Sequence, residues 1–189
     1  MKRLLAHTRL LTLMGPGGVG KTRLALEVAR DMEGGEMFAD GVWFCGLAPL
    51  GDAALVPHAI AATLGVREQP GRQILETIGE AVRDSRLLLV LDNCEHLVEA
   101  CARVGDTLLR GCPGLTILAT SREPLKIPGE TAWPISPLSL PAPTEMPHAD
   151  ALVACEAVQL FVQRAGAAAP AFAPTDMNAV TGIRPRCCP

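Results

Sequence analysis

The chain has no tyrosine, four phenylalanines and two tryptophans in 189 residues. Aromatics make up 3% of it and apolar residues 49%, so leucine, valine and alanine must fill the core. Charge of one dominant sign is also missing. Seventeen basic and twenty acidic residues give a net charge of −3, which leaves no broad basic footprint for nucleic acid. No apolar run approaches the roughly 18 residues of a membrane span. Lys2 and Arg3 precede a leucine-rich stretch, as in a secretory leader, but that stretch runs into a glycine-rich loop and not a cleavage site. The cysteines at 45, 94, 101, 112, 155, 187 and 188 include no C-x-x-C pair, and an odd, scattered set argues against a disulfide framework or a zinc site. Free thiols in a reducing, cytoplasmic compartment are expected, in one domain with part of a second.

What is present centres on Gly15-Pro16-Gly17-Gly18-Val19-Gly20-Lys21-Thr22. The apolar run Leu10-Leu11-Thr12-Leu13-Met14 precedes it, and a helical pattern from Arg23 to Arg30 follows. Strand, then G-x-x-x-x-G-K-[ST], then helix is the context of a P-loop. Its glycines let backbone N–H groups turn inward as a nest for phosphates, and the helix aims its positive end at the same point. Lys21 supplies a mobile cation near the β- and γ-phosphates, and Thr22 offers a hydroxyl to Mg²⁺. A glycine-rich turn with a surface lysine is the plainer reading. Motif and context agree, so nucleoside triphosphate binding is the first expectation.

Periodicity predicts a helix over residues 21–32, a strand over 41–47, a helix over 53–64 that Pro57 kinks or starts late, and an amphipathic helix over 72–84. Asp52 suits an N-cap and Gly65 a C-cap. Arg86-Leu87-Leu88-Leu89-Val90-Leu91-Asp92-Asn93 then reads as a buried parallel strand carrying Asp92 to the edge where open α/β sheets bind ligands. There Asp92 either holds a water of the Mg²⁺ shell or merely caps the following helix; its pairing with the glycine-rich loop favours the metal. A helix over 97–109, a strand over 115–120 ending in Ser121-Arg122, and an edge-like strand over 131–135 follow. On spacing alone Arg122 reads first as a solvated arginine at a strand end. Residues 124–147 are proline-rich, and a further helix is expected over 150–165. Alternation of strands and helices implies an α/β sandwich of three layers around a mainly parallel sheet of about five strands, with room for a strand between 10–14 and 87–92. The division expected is a P-loop nucleotide-binding domain over 1–147, a lid helix over 148–166 opening a truncated helical domain, and a disordered tail over 167–189.

Three stretches, Leu11-Thr12-Leu13-Met14 with the glycine-rich loop, Leu89-Val90-Leu91-Asp92-Asn93-Cys94-Glu95-His96-Leu97, and Ala119-Thr120-Ser121-Arg122-Glu123-Pro124-Leu125, resemble the STAND class of signal-transduction ATPases. The chain is most similar to the NB-ARC-like module of large bacterial LuxR- and SARP-type transcriptional regulators, over about residues 8–180. The resemblance implies an ATP/ADP-binding switch with Mg²⁺. Gly15, Pro16, Gly17, Gly18, Val19, Gly20, Lys21, Thr22 and Arg23 would bind the nucleotide, Thr22 and Asp92 would serve the metal, and Arg122 would read the γ-phosphate. Lys21, Asp92, Arg122 and Glu95 form the implied catalytic set, with Glu95 a candidate to polarise a water because Asn93 stands where many related ATPases carry an acid. Slow ATP hydrolysis follows from that replacement. The implied ATP state opens and can self-associate, with no membrane partner and no DNA-binding module in the chain.

A small-molecule kinase uses the same loop, but it needs a lid with several arginines, and only Arg164, Arg184 and Arg186 follow Arg122. A non-functional remnant is the remaining reading. Related proteins carry a segment before the first strand and continue past the lid helix into a helical domain with a Gly-Leu-Pro-Leu-Ala motif. From Thr181 the sequence turns to Gly, Pro, Arg and the paired Cys187-Cys188, which suggests a shift of reading frame near Val180. A Gly-Leu-Pro-Leu-Ala motif in another frame past codon 180 is the expected result of reading the DNA.

Overall fold

Six consecutive residues, Leu87–Asp92, are buried, as a strand covered on both faces requires. The computed structural model, which describes residues 1–139 and 155–169, places that strand inside a five-stranded sheet. The chain divides into two units, Met1–Ser136 and Pro137–Pro189.

In the first unit the elements run α1 (Lys2–Leu5), β1 (Leu10–Met14), α2 (Lys21–Met32), β2 (Val42–Gly46), α3 (Val56–Leu64), α4 (Ile74–Ala81), β3 (Leu87–Asp92), α5 (Val98–Gly111), β4 (Leu115–Ser121) and β5 (Glu130–Pro134). The sheet order is β2-β3-β4-β1-β5, and every pairing is parallel. β4 is therefore the strand between β1 and β3. Alternation splits the core into two clusters. Leu87, Leu89 and Leu91 of β3 join Leu115, Ile117 and Ala119 of β4 against α3, α4 and α5. Leu88, Val90 and Leu118 face Ala25, Val28, Ala29 and Met32 of α2. Among the described residues Phe38 is the one aromatic buried in these clusters, while Trp43, Phe44 and Trp133 lie exposed on the two edge strands.

Several expected boundaries move. Residues 53–55 form a 3₁₀ turn capped by the Asp52 carboxylate, and α3 begins only at Val56, with Pro57 in its first turn where no N–H is needed. The helix expected over 72–84 is confined to Ile74–Ala81. Arg72 leaves it to pair with Glu80, and the end loosens into turns, Arg83 to Glu80 and Ser85 to Val82. A 3₁₀ turn, Cys94–His96, intervenes before α5, which extends to Gly111.

Arg9 fixes the base of the sheet. Its Nη2 donates to the carbonyls of Leu109 and Cys112, both at 2.6 Å, and its Nε to Leu115 at 3.2 Å. A cation at the C-terminal end of α5 satisfies carbonyls that the helix leaves free. One group inside β1 is unsatisfied: the Thr12 hydroxyl is buried with no hydrogen-bond partner. Its strand neighbours are Ala119 and Ala132. A buried orphan hydroxyl costs more than the methyl that would replace it. Thr12→Val is expected to raise stability by about 1 kcal/mol, read as a higher urea midpoint at unchanged slope; a lower midpoint means the hydroxyl has a partner.

In the second unit α6 (Glu156–Ala168) overlaps the helix expected over 150–165 and runs three residues past it. Its start is tied reciprocally: the Glu156 N–H donates to the Ser139 hydroxyl at 3.0 Å, and the Ser139 N–H donates to the Glu156 carboxylate at 3.1 Å. Residues 150–154 of the predicted helix and 170–189 of the predicted tail lie outside the described residues. No described helix is long and apolar enough to cross a membrane.

Candidate functional site

Because all five strands run parallel, β1, β3 and β4 end on one edge of the sheet, where crossover loops meet. β3 ends there in Asp92 and β4 in Thr120-Ser121, while β1 leads into the glycine-rich loop.

The loop from β1 to α2 is glycine-rich for two reasons. A Cβ on Gly15 would lie 3.0 Å from Val19 Cγ1 and 3.1 Å from the Ile135 carbonyl. Gly20 caps α2 at φ 97°, a backbone state that side chains resist. The start of α2 has no side-chain cap and no acidic residue in its first turn, so its positive end faces the loop uncompensated. Lys21 is 7% exposed. Its ammonium folds back on the loop, donating to the carbonyls of Gly15 at 2.8 Å and Pro16 at 3.1 Å. An ammonium has three donors, so one is left for an anion in the loop. Arg23 lies exposed in the first turn of α2.

Thr22, Asp92 and Thr120 meet. The Thr22 hydroxyl donates to Asp92 Oδ1 at 2.8 Å, and the Thr120 hydroxyl donates to the same oxygen at 2.7 Å. Thr120 in turn accepts the Asn93 N–H at 2.9 Å. Asp92 thus caps no helix: Asn93 and Leu97 occupy the cap positions that follow it, neither with a side-chain cap bond. Its carboxylate is a junction between α2 and β4. Asn93 adopts a left-handed backbone, φ 67°. Its side chain donates to His96 Nδ1 at 3.2 Å while His96 Nε2 bonds the Leu50 carbonyl at 2.9 Å. A carbonyl only accepts, so Nε2 carries the proton and Nδ1 receives from Asn93. This chain of bonds ties the segment after β3 to the loop after β2.

Arg122 and Glu95 pair, Nε to Oε1 at 3.3 Å, with side chains 66% and 16% exposed. The other Glu95 oxygen is buried without a partner. The Arg122 Nη2 atom lies 3.5 Å from the position a Cβ would take on Gly17, so the guanidinium leans over the glycine-rich loop. Thr120 and His96 are the residues that sequence reasoning did not single out. Thr120 had a signal: two polar residues, Thr120 and Ser121, close an otherwise apolar strand at the ligand edge. His96 had none, because its partners Asn93 and Leu50 belong to different loops.

Among the described residues the cysteines form no disulfide; Cys187 and Cys188 lie outside them. Cys94 is held well above the usual thiol range by its hydrogen bond with Cys101 and by burial, so it stays a protonated, unreactive thiol below Asp92. Among the described residues there is no cluster of His, Cys, Asp and Glu that would hold a metal by itself.

Over residues 1–124 the chain matches the NB-ARC domain. The chain belongs to the NB-ARC family. It is 42% identical over 179 residues, 95% of its length, to a Mycobacterium tuberculosis protein named as an HTH-type transcriptional regulator, of which it spans 18%. It is 41% identical over 181 residues, 96% of its length, to an uncharacterised protein of the same organism, of which it spans 42%. The chain therefore spans less than half the length of these curated relatives. Cdc6p of Pyrobaculum aerophilum shares the fold at a TM-score of 0.50 and 16% identity, over 73% of this chain and 42% of that one. The NB-ARC domain here is a P-loop NTPase fold, with the polar residues described above at its ligand edge.

Proposed function

We propose that this NB-ARC chain is an ATP/ADP-binding switch module of a bacterial transcriptional regulator of the LuxR or SARP type. The observation that carries the reading is the Thr22–Asp92 bond at 2.8 Å, which joins the start of the uncapped helix to the acid at the end of β3. The 15–23 segment cradles the phosphates through its backbone N–H groups, and Lys21 neutralises them. Thr22 and Asp92 fit Mg²⁺: two hard oxygen donors sit side by side, and Asp92 keeps a second oxygen besides the one both threonines use. Mg²⁺ held there by Thr22 and Asp92 would supply charge neutralisation to a bound triphosphate. Thr120 holds Asp92 in position. Arg122 reads the γ-phosphate, and Asn93 in place of an acid keeps hydrolysis slow. The ATP state self-associates, the nucleotide domain extends over 1–147 with the lid helix after it, and the protein works in the cytoplasm.

Binding of labelled ATP to the purified chain tests this reading. Saturable binding that excess ADP competes away, and that weakens when a chelator removes Mg²⁺, is expected. Absence of binding at millimolar ATP overturns it.

A further inference from the structure

Arg122 stands between the Glu95 carboxylate and the glycine-rich loop. Its Nε is on Glu95 Oε1, while its Nη2 leans over Gly17 of the glycine-rich loop. We infer that Glu95 sets the preference between tri- and diphosphate by competing with the γ-phosphate for the Arg122 guanidinium. This rests on the nucleotide-binding reading above.

The pair is built unequally. Glu95 sits in the 3₁₀ turn Cys94–His96, and its neighbour His96 is bonded to both Asn93 and Leu50. Its side chain is 16% exposed, so the carboxylate is the fixed partner. Arg122 has a side chain 66% exposed on a long stem, so the guanidinium is the moving partner. The bond is also incomplete. An arginine fork matches a carboxylate with two parallel bonds, yet a single bond at 3.3 Å is made and Glu95 Oε2 has no partner. A monodentate pair with an exposed arginine is weak, and a γ-phosphate offers more charge and more acceptors.

Transfer of Arg122 to a γ-phosphate leaves Glu95 with neither oxygen bonded. A half-buried carboxylate then stands unpaired near a triphosphate. That cost falls on ATP alone, because ADP has no γ-phosphate to draw the arginine away. Glu95 therefore lowers triphosphate affinity relative to diphosphate and keeps the diphosphate state competitive.

The experiment measures Kd for ADP and for a non-hydrolysable ATP analogue, with Mg²⁺, on the 189-residue chain and on Glu95→Gln, Arg122→Ala and the double variant. The readout is the ratio of the two affinities. Glu95→Gln raises the preference for the triphosphate by about threefold to tenfold, the scale of a weak ion pair. Arg122→Ala lowers it. In the Arg122→Ala background the Glu95→Gln change has no further effect, which separates competition for the arginine from plain repulsion between Glu95 and phosphate. Glu95→Asp, which keeps the charge and withdraws it by one methylene, gives an intermediate ratio and serves if the glutamine variant folds poorly by circular dichroism. An unchanged or lower ratio in Glu95→Gln, or an equal rise with and without Arg122, overturns the inference while nucleotide binding stands. Failure of the wild-type chain to bind either nucleotide removes both.

Discussion

Lys21→Ala abolishes nucleotide binding and leaves the fold standing. The side chain is 7% exposed, and its ammonium is the cation bonded inside the glycine-rich loop, to Gly15 at 2.8 Å and Pro16 at 3.1 Å. Losing it removes the charge-assisted bonds to phosphate from a loop otherwise built of neutral backbone dipoles. The affinity for ATP is expected to fall by at least about 100-fold, or roughly 3 kcal/mol. The fold has little to lose. Alanine suits the first turn of α2, and Pro16, one of the carbonyls released, lies in the exposed part of the loop. Titration with a fluorescent nucleotide measures the first effect and thermal unfolding the second. Unchanged affinity refutes the loop assignment, and a collapsed melting transition assigns Lys21 to the fold instead.

The parts of this molecule that were legible in its sequence are those governed by local pattern. β1, β3 and β4 are mainly apolar runs because each is covered on both faces, and such runs announce themselves. The glycine-rich loop was legible because strand, spacing and helix coincide. Less legible were the places where a tertiary bond overrides propensity. Arg72 suits a helix, but its guanidinium gains more from Glu80 across the turn, so α4 starts later. Pro57 and Asp52 between them turn the first part of a predicted helix into a 3₁₀ turn. Of the site, Thr22 and Asp92 were both singled out from the sequence, and the bond that joins them spans 70 residues. The Glu95–Arg122 pair, 27 residues apart, was not legible as a pair. Nothing in the spacing says that the two will share a bond, since it depends on β3 and β4 lying side by side. Thr120 showed as a polar strand end, but its partner did not. Its value comes from standing beside Asp92, which only the sheet order reveals.

Asp92→Asn is expected to weaken Mg²⁺ support of nucleotide binding by about 10- to 100-fold in metal affinity, the usual cost of altering a group that orients a metal's water shell. The change keeps shape and removes a charge, so the outcome depends on which way the amide points. Asp92 Oδ1 receives two hydroxyls, Thr22 at 2.8 Å and Thr120 at 2.7 Å. Thr120 already accepts the Asn93 N–H at 2.9 Å, so its own proton must go to position 92. The asparagine must therefore keep its oxygen toward the threonines. Its NH₂ then replaces Oδ2, turning an acceptor into a donor. Water bound to a cation presents its protons outward, and a donor there repels it. Flipping the amide rescues that contact only by leaving the Thr120 proton without an acceptor in a residue 1% exposed, which costs about 1–3 kcal/mol. Both orientations lose, and the loss is specific to the metal. Binding of nucleotide without Mg²⁺ changes little, since Lys21 and the loop are untouched. A Mg²⁺ titration of ATP binding decides the matter: the same response in both proteins removes Asp92 from the metal site and leaves it as a structural junction between Thr22 and Thr120.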